Sequence, residues 1–329
     1  MKKSITIKEL SKMLDVSIST VSKALNDSHE ISPATKERIQ EAAKLYNYQP
    51  NRIAVNLKSG KANTIGVIIP SVQNFFMTQV LRGIESVIAD TPYNIIISIT
   101  NESYEKEVQF VNTLTQGFVD GIIVTVSEET FLKKEYGHFH NFDSRKALLM
   151  FDRVVGEVEC DKVLVDDEDS VFRATQTLVS SGRKQIVLAS TIGNVSSGKK
   201  RIRGYTRAIE SVHEPVLILD SEENIENRIK ELLNSGKVDA IMALDEEASL
   251  ASFRAGKAKK VLDNQEVSIV GYTSQKIAEN LTPHLTTIDQ NGVRIGELAA
   301  ELLLKKLKKP LKDPESVVVN SSYQKRLTT

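Results

Sequence analysis

Residues 5–39, ITIKELSKMLDVSISTVSKALNDSHEISPATKERI, decide how the chain begins to fold. Three helix starts are written into them. Thr6-Ile7-Lys8-Glu9 is a capping box: Thr6 can cap a helix and Glu9 can reach back to the cap. Leu10, Met13 and Leu14 continue an apolar face at helical spacing. Asp15-Val16-Ser17 breaks that pattern, and Ser17 can N-cap a second helix from Ile18 to about Leu25. Asn26-Asp27-Ser28 ends it. Ser32 followed by Pro33 opens a third helix, running to about Tyr46. Three short helices with a tight turn between the first two predict an all-α helix-turn-helix domain.

Outward from Asn63 the pattern changes. Apolar, β-branched runs recur at 64–70 (TIGVIIP), 94–99 (NIIISI), 121–126 (GIIVTV), 147–151 (ALLMF) and 162–166 (KVLVD). They continue at 185–190 (QIVLAS), 216–219 (VLIL), 240–244 (AIMAL) and 268–272 (SIVGY), mostly with helical patterns between them. Strands alternating with helices form parallel, doubly wound sheets. Nine of them over this length predict two α/β lobes.

The totals agree. A chain of 329 residues exceeds one ordinary core. A lone cysteine, Cys160, excludes an internal disulfide framework and reads as a small buried residue. No apolar run approaches the roughly 18–20 residues that span a bilayer. MKKSITIKEL lacks the apolar core of a secretory signal. A cytoplasmic protein without a membrane partner is expected. Net charge is zero, but residues 1–60 hold ten Lys/Arg against six Asp/Glu, and the remainder 33 against 37. The basic excess lies where a polyanion would be met.

The blocks TIKEL, VSISTVSKALN, SPATKERI and NRIAVNL resemble the N-terminus of the lactose-repressor (LacI/GalR) family of bacterial transcription regulators. TIGVIIPSVQNFFMTQVLRGIE, VDGIIV, FDR, RIRGY, VSIVGY and TPHLTTIDQ extend the resemblance through the chain in the family's order. It implies a helix-turn-helix DNA-binding domain (1–48), a hinge helix and linker (49–62), and a periplasmic-binding-protein-like effector and dimerisation domain (63–329). The first lobe is expected at about 63–160 and 290–318, the second at about 161–289 and 319–329.

The resemblance also implies roles. Ser17, Ile18 and Ser19 would face base edges in the major groove, with Lys23 one turn further on, where a lysine can donate to guanine. Ile18 can meet a thymine methyl. Thr20 and Ser22 would bind phosphate, which positions without specifying, and Thr6 and Asn26 complete the face. In the hinge, Asn51, Arg52 and Ala54 match family positions. Leu57 stands where the family places a leucine wedge, which kinks the duplex at the minor groove. The plainer reading of the hinge is a linker with Leu57 packed on the core.

Small ligands of open α/β sheets sit at the carboxyl ends of the strands. The candidates there are Ser71, Asn74, Phe76, Met77, Asp152, Arg153, Ser197, Arg201, Asp245 and Thr273. GNVSSGKK (193–200) almost spells a phosphate-binding P-loop, but Lys200 stands where a Mg²⁺-ligating hydroxyl is needed. By resemblance this loop lines the effector cleft and Arg201 holds the ligand. Thr273 replaces an aspartate common in the family, so Arg201 lacks that counter-charge. Asp245, Glu246 or the ligand is expected to supply it. The run Asp166–Asp169 reads as a solvated helix start, although the resemblance implies that an aspartate near Asp166 approaches the cleft. His138 and His140 read as surface residues. No catalytic or metal constellation emerges, and no cofactor is expected.

The reading is a homodimeric, allosteric DNA-binding regulator, with repression the expected sign, on a near-palindromic double-stranded operator. Its effector would be a sugar or sugar phosphate. With no leucine heptads after KRLTT, a dimer is expected rather than a tetramer. The alternative is a small-molecule sensor or carrier that binds no operator, and an enzyme comes third.

Overall fold

A computed structural model describes residues 5–48, 61–140, 142, 146–221, 223–309 and 313–329. The hinge residues Asn51, Arg52, Ala54 and Leu57 lie outside them. The chain divides into two compact units, Met1–Ala62 and Asn63–Thr329.

The first unit holds α1 (Ile7–Met13), α2 (Ile18–Leu25) and α3 (Pro33–Leu45). Each begins at its expected cap. The Glu9 N–H donates to Thr6 Oγ1 while the Glu9 carboxylate accepts from the Thr6 N–H, closing the capping box. Ser17 and Ser32 accept from the N–H groups of Thr20 and Thr35. Asp15 and Asp27 adopt positive φ, 50° and 55°, where the chain leaves α1 and α2. Aspartate tolerates that region better than most side chains. The inner faces meet at Leu10, Val21, Ala24, Ile39 and Ala43, all buried.

The second unit is built on two six-stranded sheets. The chain first lays down β1 (Thr64–Ile69), α4 (Phe75–Ile88), β2 (Asn94–Ile99), α5 (Tyr104–Thr115) and β3 (Gly121–Val124). Next come α6 (Glu128–Lys133), α7 (Gly137–His140), β4 (Ala147–Phe151) and β5 (Asp161–Val165). It then crosses to α8 (Asp167–Ser180), β6 (Ile186–Ser190), α9 (Ser196–Ile209), β7 (Val216–Leu219), α10 (Ile225–Asn234) and β8 (Ala240–Ala243). α11 (Glu246–Ala258), β9 (Ser268–Tyr272), α12 (Gln275–Asn280) and β10 (Thr286–Asp289) follow. It returns for α13 (Gly292–Lys308) and β11 (Ser316–Val319), and crosses once more to β12 (Ser322–Gln324).

The first sheet runs β11-β5-β4-β3-β1-β2, with every pairing parallel. The second runs β12-β10-β9-β8-β6-β7, parallel except for β12 against β10. Three strands, β10, β11 and β12, escaped the nine expected from apolar runs. β5 belongs to the first sheet, so the second lobe starts at Asp166 rather than at about 161.

Glycines set the closest helix contacts. A Cβ on Gly83 of α4 would lie 2.0 Å from the Val293 carbonyl oxygen, and one on Gly296 of α13 would lie 2.0 Å from that of Val80. The two helices thus pack backbone to backbone through reciprocal glycines.

Three crossovers join the lobes, and they are tied to one another. The Ser321 N–H donates to Asp166 Oδ1 at 2.7 Å, and Asn291 Nδ2 to the Asn320 carbonyl oxygen at 2.7 Å. Asp166 also accepts from Arg173 at 2.6 Å.

Candidate DNA-binding face and effector cleft

α2 buries Val21 and Ala24, packs Leu25 against the same core, and turns its polar residues and Ile18 outward. Ser17, Ile18 and Ser19 at its start are exposed, and Thr20, Ser22 and Lys23 half-buried. Ile18 is 47% exposed, an apolar side chain on a polar face with nothing covering it. Lys23 pairs with Glu30 across solvent, an exposed pair that costs little to exchange for phosphate or base. Thr6 and Asn26 are exposed as well. Ser17 is committed to its cap, and Asn26 Nδ2 donates to the Ser22 carbonyl oxygen at 3.0 Å.

In the second unit a cleft opens where the strand ends of both lobes meet. It is lined from the first lobe by Asn74, Phe76, Met77, Asp152 and Arg153, and from the second by Ser197, Arg201, Asp245 and Thr273. Nine of the ten candidates therefore converge. Ser71 does not line the cleft; its Oγ accepts from the Gln73 N–H at 3.0 Å, closing a turn. Glu246, the other carboxylate expected beside Asp245, lines the cleft too; Phe75, Gln79, Ile192, Tyr272 and Gln290 also contribute, and none of these was singled out as a ligand contact. The centre of a water molecule can range over about 70 Å³ of the cleft.

Arg201 organises the second-lobe wall. Its Nε donates to Asp167 Oδ1 at 2.7 Å and its Nη1 to the Leu244 carbonyl oxygen at 2.6 Å. The guanidinium carbon sits 3.9 Å from the centre of the Tyr272 ring, within cation–π range. Arg201 and Asp167 are both almost fully buried. Burial opposes the guanidinium's charge, but Tyr272, Asp167 and Asp152 together outweigh it and raise the pKa.

The expected counter-charge was Asp245, Glu246 or the ligand. It is Asp167, from the acidic run read as solvated. Asp245 is otherwise engaged: its carboxylate accepts from Ser190 Oγ, from Thr191 N–H and Oγ1, and from the Ala248 N–H that it caps. Glu246 accepts from Thr273 Oγ1 at 3.2 Å. Burial pushes its carboxyl up, against donation from Thr273 and from the Phe75 N–H of the first lobe.

On the opposite wall Arg153 Nη1 donates to both oxygens of Glu102 at 2.8 Å. Asp152 stands apart. It is 6% exposed, sits at φ 57°, and its Oδ1 has no hydrogen-bond partner. Burial first, then the neighbouring Asp167, push its carboxyl up to about 6, against the pull of Arg153, Arg201 and Lys200.

Residues 6–51 match the model of bacterial regulatory proteins of the lacI family, and residues 175–329 that of a periplasmic binding protein-like domain. Across 99% of both chains the protein is 27% identical to catabolite control protein A of Priestia megaterium. The protein is a lacI-family DNA-binding transcriptional regulator. Its fold is that of the lac repressor dimer bound to operator and an anti-inducer (TM-score 0.87, 22% identity, 99% of each chain). A lacI-family regulator from Enterococcus faecium, with bound ribose, matches at TM-score 0.71 and 23% identity over 81% of this chain and 98% of its own. The curated relatives are regulators, not enzymes.

Within this lacI-family chain the near-P-loop has a structural task. A Cβ on Gly198 would lie 1.8 Å from the Ile192 carbonyl oxygen, so this glycine lets the loop fold onto the start of α9. Lys199 lies over the Phe131 ring at 5.5 Å. His140 is exposed, but His138 is not a surface residue: it is buried, with Nε2 2.9 Å from the Glu107 carboxylate. Cys160 is buried, which raises its thiol to about 11. Among the described residues no group of three acidic, His or Cys side chains could hold a metal, and no helix is long and apolar enough to cross a membrane.

Proposed function

We propose that this lacI-family regulator is a homodimeric repressor whose affinity for a near-palindromic operator is set by a small carbohydrate in the cleft between its lobes. The observation that carries this reading is the convergence of Asp152, Arg153, Arg201 and Thr273 from both lobes on one cleft. A ligand touching both walls binds one separation of the lobes better than another, which is what couples a site to a conformation.

Dimerisation is supported by the sheet edges. β2 exposes Ile96 and Ile97, and β7 exposes Val216, Leu217 and Leu219. Apolar edge strands invite a second chain. A single α2 covers few base pairs, and two on a twofold axis match a palindrome. In the hinge, Leu57 wedges the minor groove and Asn51, Arg52 and Ala54 support it. The ribose-bound and operator-bound relatives fit this reading.

The test is duplex binding across a salt series, with and without sugars that raise the thermal stability of the protein. A regulator of this kind loses operator affinity steeply as salt rises, and the effective sugar changes that affinity. Duplex binding that ignores both salt and every stabilising sugar identifies instead a ligand sensor or carrier. Leu57→Ala lowers operator affinity and bending and leaves sugar affinity unchanged; equal bending by both proteins removes the wedge.

A further inference from the structure

Two side chains of opposite charge stand together on the outward side of α2. Lys23, in the last turn of the helix, pairs with Glu30 in the loop that leads to α3. The two side chains are 42% and 53% exposed, so solvent reaches the pair. The loop that carries Glu30 is held from both sides. The N–H groups of Asp27 and Ser28 donate to the carbonyl oxygens of Ala24 and Lys23 at 3.2 and 2.9 Å. Lys36 on α3 donates to the Asp27 carboxylate at 2.7 Å and to the Asp27 carbonyl oxygen at 3.2 Å. Ile31 packs on the core of the unit. Its neighbours thus set Glu30 beside Lys23, and a side-chain rotation is enough to open the pair.

A carboxylate is out of place on a surface that meets DNA. Ser17, Ile18, Ser19 and Ser22, the other residues expected on that face, carry no charge, and the phosphates of a duplex repel a negative one. Two other acids of the unit are spent on the fold: Glu9 closes the capping box and Asp27 holds Lys36. As a surface ion pair, Lys23 with Glu30 contributes little to stability. What the two offer together is a donor beside an acceptor. The major-groove edge of a G·C pair shows guanine N7 and O6, both acceptors, and then the cytosine 4-amino group, a donor. An A·T pair is a poorer match. Its adenine gives the lysine one acceptor with an amino group beside it, and its thymine gives the acid no donor. We propose that Lys23 and Glu30 jointly read one G·C pair in each half of the palindrome, Lys23 donating to guanine and Glu30 accepting from the cytosine 4-amino group.

The inference rests on α2 being the helix that enters the major groove, and it adds a residue outside that helix to the reading surface. Glu30 also acts against the wrong sequence. Where no amino group is in reach, its charge meets phosphates without a compensating hydrogen bond, and affinity falls. Repulsion of this kind separates one site from its competitors. Glu30 is therefore a specificity-determining residue that lowers affinity for random DNA.

The experiment selects duplexes from a random-sequence library with the full-length wild type and with Glu30→Ala, Lys23→Ala and Ile18→Ala, and measures affinities at one fixed salt concentration. The duplex selected by the wild type is then remade with N4-methylcytosine at each cytosine in turn. The methyl group takes the place of the amino hydrogen that faces the major groove and leaves base pairing intact. The expected result is one G·C pair per half-site at which methylation costs the wild type about tenfold and costs Glu30→Ala nothing. Glu30→Ala also binds random duplex about twofold to fivefold more tightly than the wild type. Equal losses in both proteins at every cytosine overturn the proposal. So does a Glu30→Ala protein that loses its guanine preference while the wild type ignores methylation, because Glu30 then only steadies Lys23 and α2 keeps its role. A selected sequence that neither Lys23→Ala nor Ile18→Ala changes, or no selected sequence at all, removes α2 as the reading helix and the proposal with it.

Discussion

Asp152→Asn stabilises the unliganded protein at neutral pH. Asp152 is buried and its Oδ1 is unpartnered. Arg153 and Arg201, the nearest cations, are already paired with Glu102 and Asp167. Its folded value of about 6 stands above the ordinary 3.8. A raised carboxyl makes folding most favourable when protonated: the benefit is complete below the unfolded pKa and is lost as pH rises through the folded one. At pH 7.5 the wild type therefore bears the whole penalty. At ~1.4 kcal/mol per pH unit the gap amounts to about 3 kcal/mol, an upper bound. Asparagine keeps the shape, removes the charge and tolerates the positive φ of 57°. Urea unfolding of both proteins at pH 7.5 and at pH 4 is the assay. The variant gains up to about 3 kcal/mol at pH 7.5 and converges on the wild type at pH 4. A loss at pH 7.5 refutes the reasoning, because Asp152 would then serve as a counter-charge to Arg201. An equal gain at both pH values refutes it as well.

Arg201→Ala leaves Asp167 buried without its partner and costs about 3–5 kcal/mol; adding Asp167→Asn recovers most of that loss in the same unfolding assay. Thr6→Ala removes the capping box of α1 and costs the DNA-binding unit about 1 kcal/mol, read as an earlier melting transition of the 1–62 segment. Gly296→Ala drives a methyl into the Val80 carbonyl at 2.0 Å and costs about 3 kcal/mol, seen as a lower urea midpoint with operator contacts untouched.

The helix-turn-helix was legible because caps are local chemistry: Thr6, Ser17 and Ser32 each need only the next three residues. Most of the nine apolar strands were legible because interior parallel strands are buried on both faces; β2 and β7 carry the same apolar runs at exposed sheet edges. β10 was not. Its Thr286 and Thr287 are fully buried, but their hydroxyls are matched by Thr329 and Arg326, and the Thr286 N–H donates to Thr328 Oγ1, all from the far end of the chain. No local pattern reports that. β11 is half exposed at a sheet edge, and β12 is three residues long.

In the site, Asp152 and Arg201 stood directly after strand-end and motif signals. Asp167 was hidden inside an acidic run. Periodicity held the clue: Asp167, Val171, Ala174 and Leu178 form one buried stripe of α8, while Glu168 and Asp169 turn outward to Arg203 and Arg207. Charge composition gave the run one fate where helical phase gives it two. His138 was misplaced for a similar reason, since its partner Glu107 lies 31 positions away.

The three crossovers between the lobes act as a strap rather than a swivel. A single connecting strand would let one lobe twist freely against the other. Three side by side, cross-tied by Asp166 to Ser321 and by Asn291 to Asn320, resist torsion and yield to bending about the line they share. The lobes are therefore confined to one opening stroke, the kind of hinge that a few element-terminal residues can supply. The helical unit joins the chain just ahead of β1, a strand of the first lobe. Covalent tension raised in the second lobe has these three segments as its route out.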